Sequence, residues 1–151
     1  MTSFDYYGSV SEADSYFDNR LNSRAWDDAV YKDKQRSLIM ATKAIDKLNF
    51  AGDMADSTQT LQFPRNDDTE VPEEIEFACY EIAIKLLEGV DTEQEAQTVG
   101  VMSESYSSVR TTYDGDYVND HIRAGIPSIE AWGYLKPFLR DPKQLRVSRV
   151  N

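Results

Sequence analysis

Apolar residues recur along most of this chain at helical spacing. Ser9 opens the first run and stands three residues before Glu12, the spacing of a capping box. Ala13, Tyr16 or Phe17, and Leu21 then follow three to four apart, which predicts an amphipathic helix. Trp26, in "NSRAWDDAV", anchors one or two further turns. In "KDKQRSLIMATKAIDKLNF" the residues Leu38, Ala41, Ile45 and Leu48 form one stripe, with Ala44 beside it. That stripe predicts a helix of about four to five turns ending near Gly52.

Residues 53–71 read as a connector. "LQFPR" (61–65) is extended, because Pro64 disfavours helix at Phe63, and residues 66–70 form a short acidic loop. "VPEEIEFACYEIAIKLLEG" is the clearest helix. Pro72 suits its first position and Gly89 the residue after its end, while Glu73 and Glu74 sit at the positive end of its dipole. Ile75, Cys79, Ile82 and Leu86 make one apolar stripe, and Phe77, Tyr80, Ile84 and Leu87 another. Glu74, Glu81, Lys85 and Glu88 form its polar edge. A helix this apolar is surrounded on most sides. With only small helices to cover it, part of it is expected to face another chain.

From residue 92 to 124 helical periodicity fades, apart from a brief helix-compatible "EQEAQ". "SESYSSVRTTYDGD" (103–116) is polar, carries β-branched Val109, Thr111 and Thr112, and reads as a strand. Asp114 followed by Gly115 is a hairpin-type turn signal, and "DYVND" offers a short return strand. The last helix starts at Ser128 as N-cap, puts Ile129, Trp132 and Leu135 on its inner face, and is limited by Pro137. "RDPKQLRVSRVN" is a polar tail with no core-forming pattern. The expected fold is mainly α: a bundle of about four helices with a projecting β-strand or hairpin and an extended C-terminal tail. Residues 1–141 are expected to form one helical domain, with the hairpin element at roughly 99–124, and residues 142–151 the tail.

A chain of 151 residues, 40% hydrophobic and 28% charged, suits a soluble globular protein. It has no apolar run of membrane-spanning length. The N-terminus lacks a basic start and an apolar core, so no signal peptide is expected and synthesis is expected to leave the chain in the cytoplasm. The net charge of -11 argues against broad attraction to nucleic acid. It leaves room for a local basic site, and it fits a protein that lies beside DNA without adhering to it.

Candidate chemistry is sparse. The single cysteine, Cys79, excludes an internal disulfide and any cysteine-based zinc cluster; on an apolar stripe it reads as a buried small hydrophobe. The only histidine, His121, reads as a loop residue rather than a general base or metal ligand. Asp114, Asp116 and Asp120 crowd one loop but lack EF-hand spacing, whose fifth position would be Val118. Ser103, Ser105, Ser107 and Ser108 have no nucleophile-elbow context. Tyr106, Tyr113 and Tyr117 have only Arg110 and Arg123 near them, among aspartates, and suit an interface or strand face better than base stacking. No catalytic residue, metal or cofactor is expected.

Several blocks together resemble a known family. "SVSEADSYFDNRLNSRAWDDA", "SLIMATKAIDKLNFAG", "LQFPR", "VPEEIEFACYEIAIKLLEG" and "SESYSSVRTTYD" follow in this order, and over roughly residues 7–142 the chain is similar to tailed-phage head–tail adaptor (head-completion or connector) proteins. Some members of that family are labelled DnaT-like single-stranded-DNA-binding proteins. The resemblance implies a helical bundle assembled as a ring, usually of twelve copies. Such a ring docks under the portal, contacts a tail-side neck or tail protein, and passes genomic DNA without sequence-specific binding. It places the chain in the virion neck, and in the host cytoplasm during assembly, with no membrane partner. "DGDYVNDHIRA" is longer than the family pattern. In this setting Ser105, Tyr106, Val109, Arg110, Thr112, Tyr113 and Tyr117 form a hairpin that pairs between subunits or meets the tail side; pairing within one subunit stays open. Lys143, Leu145, Arg146, Val147, Arg149 and Val150 are the candidate portal-docking tail, and Glu74, Glu81 and Glu88 the candidate acidic lumen edge. The alternative function is a single-stranded-DNA-binding accessory protein.

Overall fold

The computed structural model describes residues 4–97 and 120–140. Within them the fold is mainly helical. Ser9 caps α1 (Val10–Asp18): its backbone is extended and its hydroxyl accepts from the Glu12 amide at 3.1 Å. Val10, Ala13 and Phe17 turn inward. The helix ends at Asp18, before Leu21, which is 86% exposed rather than part of the stripe, and Asn22 at a positive φ of 60° then turns the chain. The short α2 (Arg24–Asp27) delivers Trp26 to the core. The Trp26 indole donates to Asp14 Oδ1 at 2.8 Å, and Lys34 reaches the same oxygen at 3.0 Å.

The longest helix is α3 (Tyr31–Asp46), burying Leu38, Ala41 and Ile45 as the periodicity predicts. It starts earlier than the stripe suggests and stops at Asp46, short of Gly52. Next in the chain is α4 (Glu73–Leu87), with Pro72 as its cap rather than its first residue. It ends at Gly89, φ +86°. The Val90 amide donates to the Lys85 carbonyl and the Gly89 amide to that of Leu86, a Schellman stop that a glycine accommodates without strain.

Packing explains the composition of α4. It pairs with α3 on one side and with α6 (Ile129–Leu135) on the other, while α1 and α2 also touch it. Ile75, Ala78, Cys79, Ile82, Ala83 and Ile84 are fully buried within this one chain. The expectation that part of this helix faces another chain is therefore corrected for these residues: its own neighbours cover them, leaving Phe77, Leu86 and Leu87 half-buried. Tyr7 closes the α3–α4 seam, its amide donating to Thr42 Oγ1 at 3.0 Å and its hydroxyl to Asp46 Oδ1 at 2.5 Å.

The projecting hairpin is not supported. Part of the stretch assigned to it, Asp120–Arg123, is helical (α5) and buries Ile122; its other residues lie outside the described ones. Among the described residues there is no strand, only isolated bridges at Phe50–Leu139 and Met54–Arg65. Residues 92–97 are helical, as "EQEAQ" allows. Ser128 caps α6, accepting from the Ala131 amide at 3.1 Å. Ile129 is nonetheless 64% exposed, and Ile126, before the cap, takes the core position instead. A turn of 3-10 helix at Lys136–Phe138 follows, with Pro137 inside it.

The connector between α3 and α4 has no helix of its own. It is held by Arg65, 7% exposed. The guanidinium donates to the carbonyls of Ala51 (3.1 Å), Gly52 (2.6 Å) and Gln62 (3.3 Å), to the Gln62 side chain (2.9 Å) and, more weakly, to Phe50 (3.5 Å). The rings of Phe50 and Phe63, packed edge to face on each other at 4.7 Å, lie together on one side of it at 6.0 Å. Arg140, after the 3-10 turn, donates to the same Gly52 carbonyl at 3.1 Å and ties the end of the described chain to the connector.

Candidate functional site

Among the described residues no three His, Cys, Asp or Glu side chains converge as a metal site. Cys79 is fully buried, its thiol 3.5 Å from Thr42 Oγ1, and burial pushes its pKa up to about 12. It is a core residue, as its position on an apolar stripe predicts. His121 stands on α5 rather than in a loop. Its Nδ1 donates to the Ile126 carbonyl at 2.9 Å, across the turn made by Gly125.

Two surfaces stand out. The first is a cleft of about 630 Å³ between α1 and the first half of α4. Glu12, Glu73 and Glu76 line it, with Tyr16, Phe77 and Tyr80 supplying its aromatic walls. Tyr80 donates to Glu12 at 3.3 Å, and it lies so close to Gly8 that a Cβ there would meet its hydroxyl at 2.1 Å. Partial burial raises the Glu76 pKa, and the like charges of Glu12, Glu73 and Glu70 raise it further. A carboxyl whose folded pKa is raised contributes stability below its unfolded pKa and loses that contribution as pH rises through the folded value. Glu76→Gln should therefore raise the melting temperature at pH 7 and leave it unchanged at about pH 3, well below the unfolded pKa, where the glutamate is protonated in both states. Thermal melts at the two pH values check this; an equal gain at both would contradict it.

Beneath the cleft lies Glu81, which corrects the expectation of a continuous acidic edge. It is 3% exposed. Arg20 clamps it through Nε and Nη2, both at 2.9 Å, and the Tyr16 hydroxyl donates to it at 2.5 Å. Glu81 cannot belong to an exposed lumen edge in this conformation. Glu74 and Glu88 are exposed.

The second surface is the outer face of α3. Lys32, Arg36, Lys43 and Lys47 are exposed along it, with Met40 between them. Lys43 lies 4.9 Å above the ring of exposed Phe4. Reading this helix for its apolar stripe passed over that face. The signal was present as paired cations four residues apart, Lys32 with Arg36 and Lys43 with Lys47. The proposed hairpin residues Ser105, Tyr106, Val109, Arg110, Thr112, Tyr113 and Tyr117 lie outside the described residues. So do the proposed tail residues Lys143, Leu145, Arg146, Val147, Arg149 and Val150.

These features define a small helical protein whose described surface offers an acidic cleft and a basic helix face. The chain belongs to the family described as "Putative DnaT-like ssDNA binding protein", whose model matches residues 1–150. No curated protein and no solved structure matches it.

Proposed function

We propose that this chain is a non-catalytic structural subunit of an oligomeric ring at the neck of a tailed-phage particle, joining portal to tail and extending the DNA channel. The observation that carries this reading is the ordered set of family-like blocks. Those in the described region coincide with the elements that build the core: α1 and α2, α3, the Arg65 connector and α4. The net charge of -11 adds support, because a channel wall that attracted phosphate would hold back the passing genome. In this reading Glu74 and Glu88 are the remaining candidate lumen residues. Residues 103–118 meet a neighbouring subunit or the tail-side protein, and the C-terminal tail meets the portal.

A second reading, a single-stranded-DNA-binding accessory protein, is favoured by the family description itself, which names no virion component. The α3 face is the local basic surface it would use. Two measurements separate the readings. Mass spectrometry of purified particles should find the protein in fixed stoichiometry to the portal. A gel shift with single-stranded DNA at about 0.15 M salt should show weak or no binding. Absence from particles combined with tight, salt-sensitive DNA binding would replace the first reading with the second.

A further inference from the structure

We propose that the outer face of α3 docks into the α1–α4 cleft of a second copy of this chain, so that copies associate head to tail. The proposal rests on the ring reading above and names the surfaces that would build the ring. At 1.5 Å per residue, Lys32 to Asp46 spans about 21 Å of helix, about twice the stretch of α4 from Glu73 to Tyr80 that lines the cleft. The cations do not stand on an otherwise polar face. Lys43 and Lys47 rim two grooves, a mainly apolar one of about 380 Å³ containing Met40, Ile82, Leu86 and Val90 with Asp91 at its edge, and a mixed one of about 450 Å³ containing Phe4 and Leu61 beside Asp5 and Asp46. Exposed Met and Phe interleaved with cations suit a protein partner that fills grooves with side chains. Hydrated phosphates would leave those grooves wet.

Charge selects the partner. The cleft crowds Glu12, Glu73 and Glu76 around aromatic walls, and the cation in its lining, Arg20, is already committed to Glu81. Cations arriving from outside relieve that repulsion, and the charge pattern disfavours wrong docking. The cleft and the grooves beside α3 share no lining residue. Contact between them is therefore heterologous, the kind that closes into a ring when the rotation between copies permits.

The test uses the full chain and reads mass by light scattering and native mass spectrometry at low salt. Wild type should associate, and association should weaken at about 0.5 M salt. Lys43→Glu with Lys47→Glu, and separately Glu12→Lys with Glu73→Lys, should each weaken association at least about tenfold. All four positions are exposed, so helicity by circular dichroism should be unchanged. Mixing the two variants should restore association, since each then offers the charge the other lacks. Wild type that stays monomeric at every concentration overturns the proposal. So does association indifferent to both reversals, which leaves the ring reading standing on other surfaces. If the α3 reversal abolishes single-stranded-DNA binding while association persists, the face belongs to DNA and the proposal is wrong. The ring reading itself fails separately, by absence of the protein from particles.

Discussion

Arg65→Ala lowers the stability of the fold by about 3 kcal/mol, expected from the loss of several hydrogen bonds made by one charged donor, most of them to partly buried acceptors. In a chain of this size that corresponds to a fall in melting temperature of about 10 °C. The size follows from what the side chain replaces. The segment between α3 and α4 is long and lacks helix, so its carbonyls have no regular ladder of N–H groups to donate to them. One planar guanidinium supplies the donors instead, to Ala51, Gly52, Gln62 and Phe50. Alanine removes the donors and also the guanidinium's contact with the paired rings of Phe50 and Phe63. Arg65→Lys keeps the charge but presents its donors from a single atom, and it cannot span acceptors on both sides of the fork. It should recover less than half of the loss. Thermal unfolding followed by circular dichroism measures both variants; an alanine variant melting within about 2 °C of wild type would show that the connector is held by something else.

The same residue shows where the sequence was legible and where it was not. Local signals read well. Ser9 and Ser128 cap the helices they were expected to cap, and Gly89 ends α4 in a left-handed turn. Leu38, Ala41 and Ile45 of the α3 stripe are buried as spaced, while Leu48, past the helix end, is half-buried. These features depend on residues within a turn or two of each other. What misled was long-range pairing. Glu81 looked like one of a regular set of acidic positions on α4, yet its partners Arg20 and Tyr16 lie more than sixty residues earlier. Spacing along one helix carries no information about such partners. Arg65 was similarly opaque, because a basic residue after Phe63 and Pro64 looks like ordinary loop surface until the acceptors around it are placed. Ile129 and Leu21 failed at helix ends, where one turn more or less decides whether a periodic position faces the core. The candidate surfaces were half legible. The α3 cations stand in the sequence at helical spacing, but the acidic cleft exists only because α1 lies across α4.

Glu81 also yields the other large effect. Arg20→Leu should cost about 3–5 kcal/mol, because it leaves a buried carboxylate with no cation. The loss is compounded locally: Arg20 Nη1 also donates to the carbonyls of Leu21 and Asn22, fixing the turn between α1 and α2. The instructive comparison is the double variant Arg20→Leu with Glu81→Leu. Two charges taken from water recover through their mutual attraction little more than they lose by desolvation, so replacing both with apolar groups of similar volume is often close to neutral. The double variant should therefore be more stable than Arg20→Leu alone, although it carries one more substitution in the core. Some loss should persist, since Tyr16 then lacks its acceptor and the α1–α2 turn its donor. Denaturant unfolding of the wild type, both single variants and the double gives the coupling energy directly. A double variant as unstable as the sum of its parts would mean that Arg20 and Glu81 act independently, against the bidentate geometry that joins them.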